Sequence, residues 1–293
     1  MDKEFWRSIA HNHYQVPANY DLDQLTSELL KMLGTSDPEV RDYYIYSTLE
    51  KWIEQGLYSH AQLRALLAQL LKNLTLGLGE RENDGVLLRS FSALVISDII
   101  RYDNAHHFLN ASEVLDVLEQ SIAYVMGEQD LRGFEPNKGW MHALAHAGDL
   151  LGTLAFSCHL GQHELERLLT AIAEKVTVPT PDLFTTAEDE RLALAVVAVL
   201  SRKLLPASYW GWWCRHMAEV EEKMHWEDIV HFARQEDINA YHNTRTFLHS
   251  LYFQLTLAGY EIPGLQELVA AITSTLYKLD PGFYSTEVLK LFN

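Results

Sequence analysis

Apolar residues recur with a helical period from one end of the chain to the other. Leu25, Leu29 and Leu33 stand four apart over 23–33, and the stretch stops at Gly34. Ser36-Asp37-Pro38-Glu39 then combines a capping residue, an early proline and an acid at the positive end of a helix dipole. The helix it opens runs to about Gln55 and ends at Gly56. Ser59 opens another, with Leu63, Leu66, Leu67, Leu70, Leu71 and Leu74 on its apolar stripe, closed by Gly77 and Gly79. The same period predicts helices near 85–102, 112–127, 138–160, 162–176, 187–204, 207–223, 226–257, 262–279 and 285–292, with a break near Asp237. Only 176–181 (VTVPTP) has extended character, and its two prolines argue against a central strand.

Many helices of about 15 residues joined by short turns imply an all-α chain of stacked antiparallel hairpins. Asp37-Pro38-Glu39-Val40-Arg41 fits the D-x-x-V-R opening of HEAT-type repeats, in which acid and arginine bond between neighbours. Asp84-Gly85-Val86 with Arg89 is a looser second instance, roughly 47 residues on and within the HEAT and armadillo period of about 40–47. An α/α superhelix of HEAT/armadillo type follows; a closed ring of paired helices is the competing arrangement. No linker or low-complexity tract divides the chain, so 1–293 reads as one all-helical domain.

The formal net charge of −17 disfavours a nucleic-acid partner. No run approaches the roughly 18 apolar residues that span a bilayer, so no membrane association is expected. The charged N-terminal residues carry no secretory signal. Cys158 and Cys214 form no CxxC pair and read as small buried hydrophobes of a reducing compartment. A cytoplasmic location is the default.

Candidate chemistry concentrates in the predicted helix 138–160. Spacings of four and three put His142, His146 and Asp149 on one face, with Thr153 beyond them. Neutral imidazoles and a carboxylate are ligands for a divalent metal, which would be the cofactor. The H-x-x-x-H spacing lacks the glutamate of zinc metalloproteases, since Ala143 follows the first histidine. The same residues also suit a catalytic acid–base pair or a satisfied polar network between helices. Around them, Arg89, Arg132, Trp140, Arg191, Asn243 and Arg245 sit in charged or amide clusters beside helices that must be mostly buried. They read either as ion pairs between repeats or as the lining of a pocket for an anionic or polar ligand. Tyr209, Trp212 and Trp213 read as core packing, with carbohydrate stacking as the alternative. No phosphate-binding loop, dinucleotide fingerprint or nucleophile elbow is present.

Taken in order, GERENDGVLLRSFSALVISDIIRYDN, DLRGFEPNKGWMHALAHAGDLLGTLA, EDERL and NTRTFLHSLYFQL resemble the bacterial domain of unknown function 2785 family. The likeness spans nearly the whole chain. Gly139-Trp140-x-His142-x3-His146-x2-Asp149 is its most specific block. The resemblance implies an all-helical cytoplasmic protein and supplies no activity. It marks Arg89, Arg132, Trp140, His142, His146, Asp149, Arg191 and Arg245 as one set. The residues themselves give two expected functions: a solenoid whose inner face holds a small polar ligand or a protein partner, or a metal-assisted hydrolase or other enzyme acting on an anionic small molecule.

Overall fold

Helices begin where a side chain can bond the free N–H groups of a first turn. Asp2, Asp21, Ser59 and Asn110 each accept from the backbone three residues on, and the side chains of Gln62 and Glu113 return the bond at the last two. The computed structural model describes residues 1–218, 234–284 and 290. Its helices are α1 (Lys3–His11), α2 (Leu22–Met32), a π-helical turn pair (Glu39–Tyr46) running into α3 (Ser47–Glu54), α4 (His60–Thr75), α5 (Gly85–His106), α6 (Ala111–Gly127), α7 (Ala143–Ala155), α8 (Gln162–Thr177), α9 (Glu188–Ser201), α10 (Ala207–Ala218), α11 (Gln235–Leu257), α12 (Leu265–Leu279) and α13 (Pro281–Tyr284). The protein is all-α, as its periodicity predicts. The parts of the expected helices that fall on 219–233, 285–289 and 291–293 lie outside the described residues.

Successive helices alternate between two layers. In one, α5 packs on α7, α7 on α9, and α9 on α11; in the other, α4, α6, α8, α10 and α12 follow in chain order. A continuous apolar core runs between the layers from Trp6 to Leu279. The helices α5, α7 and α9 are buried on most sides, which places their few polar side chains in the interior.

The structure departs from the expected pattern in several places. The helix expected over 138–160 is shorter at both ends. Its N-terminal part is a β-hairpin, β1 (Phe134–Glu135) against β2 (Gly139–Trp140), with Asn137 and Gly139 at positive φ. Arg41 explains this: its guanidinium takes the carbonyls of Lys138 at 2.9 Å and Trp140 at 3.3 Å, the acceptors a helical turn would have used. At the other end Arg202 takes the carbonyls of Ala155, Ser157 and Leu160. The extended pair therefore lies here and not at 176–181, where α8 ends and an irregular segment follows.

The acid–arginine bond expected of D-x-x-V-R is replaced by other pairings. Asp37 pairs with Lys3 and accepts from the Val40 amide; Arg89 pairs with Glu128 and not with Asp84. Cys158 is exposed rather than buried, because it falls beyond the end of α7. On α10 the core positions are Trp210 and Trp213, while Trp212 faces outward and stacks on His216.

Candidate functional site

Two glycines bring α7 against α9. A Cβ on Gly148 would lie 2.8 Å from the carbonyl carbon of Arg191, and one on Gly152 would lie 3.6 Å from Cα of Ala195. Such an approach sets Asp149 directly on Arg191, and the two form an ion pair. On the other side of α7, α5 brings Ser97, whose hydroxyl lies 3.1 Å from Thr153 Oγ1 and donates to the Asp149 carbonyl at 3.3 Å. Between α5, α7 and α9 lies a cavity of about 640 Å³, lined by Asp98, Arg101, Asp149 and Arg191 together with Tyr46, Ser97, Thr153 and apolar side chains.

The two histidines lie behind this cavity rather than in it. Ser90 donates its hydroxyl to the Met141 carbonyl at 2.5 Å. Its oxygen can then only accept from His146 Nδ1 at 2.9 Å, which leaves the lone pair on Nε2. The His146 ring meets Phe91 and His142 edge-on at 5.1 and 5.5 Å. Burial holds its pKa well below the ordinary histidine value, with His142 and Arg191 adding to the effect. His142 caps α7 in a left-handed conformation, φ 48°, and its ring stacks on Trp140 at 4.6 Å. Burial, followed by Arg191, lowers its pKa to about 4, and its Nε2 is buried without a hydrogen bond. Both imidazoles are neutral at physiological pH.

The expected ligand set of His142, His146 and Asp149 is not arranged to chelate. Among the described residues no three His, Cys, Asp or Glu side chains are placed to share an ion. The hairpin lifts His142 off the helix, Ser90 occupies His146 Nδ1, and Asp149 turns to Arg191. These three residues and Arg191 do form one neighbourhood, but only Asp149 and Arg191 reach the cavity.

The other expected residues are engaged elsewhere. Arg89 is buried and holds both Glu128 oxygens, at 2.6 and 3.0 Å, with the Leu76 carbonyl on a third donor. Arg132 joins Asp130, Glu135 and the Asn83 carbonyl. Asn243 pins the segment after α8 by accepting from the Phe184 amide and donating to the Asp182 carbonyl. Arg245 pairs with Asp280 at 2.9 Å and lies over the Tyr241 ring. Trp140 stands 43% exposed on the hairpin beside Phe134.

Asp98 is the candidate group that periodicity passed over. It is 2% exposed, yet it lines the cavity. Its Oδ1 accepts from Arg101 at 2.7 Å, while Oδ2 is buried with no hydrogen-bond partner. Burial raises its pKa to about 7 against the pull of Arg101, and Glu50 and Asp149 push it the same way. Asp149 is also raised, by burial, despite Arg191. The signal was present in Val95-Ile96-Ser97-Asp98-Ile99-Ile100, where an acid interrupts a core run and finds an arginine three residues on. A second cavity of about 650 Å³ lies between α2 and α4, but its polar groups satisfy one another: Thr26 with Tyr58 at 2.9 Å, Gln62 with Asp23 at 2.6 Å, Asn73 with Ser92 at 3.1 Å.

No helix among the described residues is long and apolar enough to cross a membrane. No curated protein and no solved structure is found to match the chain. The model of one family, described as protein of unknown function (DUF2785), matches residues 74–253, from the end of α4 into α11 and including most of the cavity wall. The chain therefore belongs to that family.

Proposed function

We propose that this protein is a ligand-binding solenoid: one domain of HEAT-like stacked hairpins that holds a small polar molecule in the cavity between α5, α7 and α9. One observation carries the reading. Asp98 brings a buried carboxyl oxygen with no donor to the wall of a cavity of about 640 Å³. An unsatisfied buried acceptor costs about 1–3 kcal/mol, and a bound donor would recover it. The volume falls within the roughly 300–1,000 Å³ of small-molecule sites. The alternation of helices between two layers suits a solenoid, whose inner helices form such walls.

Differential scanning fluorimetry over sugars, nucleosides, amino acids and phosphorylated metabolites tests the reading, since a molecule that binds only the folded chain raises its melting point. Leu194→Trp narrows the cavity from a half-exposed wall position and should remove the shift. Shifts that survive Leu194→Trp, or none across the panel, would end this proposal.

A second reading, proton-transfer chemistry, is favoured by one fact: a carboxyl titrating near 7 in a cavity has the value a general acid needs. It requires that a cavity ligand be turned over, and that Asp98→Asn stop turnover while binding remains.

A further inference from the structure

The wall of the cavity carries a charge pattern that selects among polar ligands; the inference rests on the cavity reading above. Its ionic side chains form two opposite-signed pairs, Asp98 with Arg101 and Asp149 with Arg191. Each pair leaves capacity unused. A guanidinium has five N–H donors. Arg101 commits Nη2 to Asp98, with Glu50 at 3.8 Å from the same nitrogen, and its side chain is 56% exposed; Arg191 commits Nη1 to Asp149 and is 35% exposed. Asp98 in turn makes no geometrically sound hydrogen bond at Oδ2, although the Tyr46 hydroxyl beside it pulls its pKa down against burial.

A ligand of one sign would meet repulsion from half of these groups. A purely anionic molecule would face Asp149, and Asp98 wherever it is ionised, and a purely cationic one would face Arg101 and Arg191. A molecule with both signs side by side meets both, and the Asp98–Arg101 pair presents its opposite charges one hydrogen bond apart, at 2.7 Å. The remaining wall, with Leu94, Phe156, Leu194 and Ile262, is apolar. We propose that the cavity takes a small zwitterion with an apolar tail, an amino-acid-like molecule whose ammonium sits on Asp98 and whose carboxylate is held by Arg101 and Arg191. An ammonium needs an ionised partner, so binding near neutral pH releases the proton that burial keeps on Asp98.

Titration calorimetry of the full chain with the twenty common L-amino acids tests this. L-leucine is compared with 4-methylpentanoate, which lacks its amine, and with 3-methylbutylamine, which lacks its carboxylate. At least one apolar amino acid should bind. Each truncated analogue should bind about ten- to a hundredfold more weakly, the loss of one charge-assisted hydrogen bond. Repeating the titration at pH 7 in buffers of different ionisation enthalpy should show proton release, absent in Asp98→Asn. That variant should also stop distinguishing leucine from 4-methylpentanoate. If Asp98→Asn fails to fold, the analogue series and the proton count on the parent chain decide alone. No binding by any amino acid, equal binding by the de-aminated analogue, or proton uptake would overturn the proposal. Should a sugar or phosphate bind instead and be displaced by Leu194→Trp, the cavity reading survives and only the zwitterion fails. If no probe responds to Leu194→Trp, both fail.

Discussion

Gly148 and Gly152 lie one turn apart on the face of α7 that meets α9, and alanine at each is expected to shift stability in opposite directions. In a helix interior alanine is favoured over glycine by about 1 kcal/mol, because it has less backbone freedom to lose on folding. At Gly152 the added methyl would stand 3.6 Å from Cα and 3.9 Å from Cβ of Ala195, which is ordinary contact. Most of the propensity gain should be kept, about 0.5–1 kcal/mol. At Gly148 the methyl would stand 2.8 Å from the Arg191 carbonyl carbon and 3.0 Å from Arg191 Cβ and the Leu192 nitrogen. Two of those atoms are backbone of a buried helix and cannot swing aside. Relief requires α7 and α9 to part by roughly 0.7 Å. Overpacking of this kind costs about 1–3 kcal/mol, which outweighs the propensity gain. The expected net is about 0–2 kcal/mol of destabilisation. At roughly 2 °C per kcal/mol for a chain of this size, Gly148→Ala should melt about 1–6 °C below Gly152→Ala. Circular dichroism melts and urea midpoints measure this directly. If Gly148→Ala stabilises as much as Gly152→Ala, the close helix approach that sets Asp149 on Arg191 is refuted.

Other perturbations follow from the same contacts. Arg89→Met strands a buried Glu128 carboxylate and should cost about 3–5 kcal/mol, most of it recovered in Arg89→Met/Glu128→Leu; a silent single variant in chemical denaturation would contradict the buried pair. Arg41→Met deprives the Lys138 and Trp140 carbonyls of their donor. It should cost about 2–3 kcal/mol, and amide exchange at Met141 should quicken relative to the middle of α7. Two titrations oppose each other in acid. Asp98, with its pKa raised to about 7, lends stability at low pH that is lost as pH climbs from about 4 to 7. His142, lowered to about 4, lends stability above about 6.5 that is lost as pH falls toward 4. Asp98→Asn removes the first slope, so its urea midpoint should rise with pH between 4 and 6.5 more steeply than the parent's; parallel curves would be evidence against a buried, protonated Asp98.

Much of the architecture was readable because helices announce themselves locally. Ser59 with Gln62, Asn110 with Glu113, and the leucine stripe of α4 each declare an element from neighbouring residues alone. What periodicity misses is long-range. Nothing near Lys138-Gly139-Trp140-Met141-His142 shows that Arg41, about a hundred residues earlier, will take two of its carbonyls and hold an expected helical stretch as a hairpin. The same limit governs the site. His142, His146, Asp149 and Arg191 do lie near one another, because the first three share a short stretch and the fourth opens a neighbouring apolar helix. Arg89, Arg132, Asn243 and Arg245 were set beside them as polar clusters next to buried helices, and each has a partner from a different element or turn. Asp98 was missed because a helical pattern weighs where apolar residues fall, not the one acid among them.

Arg41 also bears on where this protein can be cut. The stretch that defines the family begins at residue 74, yet the guanidinium bracing the Trp140 hairpin and the Tyr46 ring on the cavity wall come from before it, and Tyr260 and Ile262 from after it. A fragment trimmed to the recognisable core would leave carbonyls bare on one flank and the cavity wall incomplete on both. The family match and the residues that build this wall are thus different lengths of this polypeptide, and expression of the matched stretch alone should yield a chain that leaves the wall unfinished.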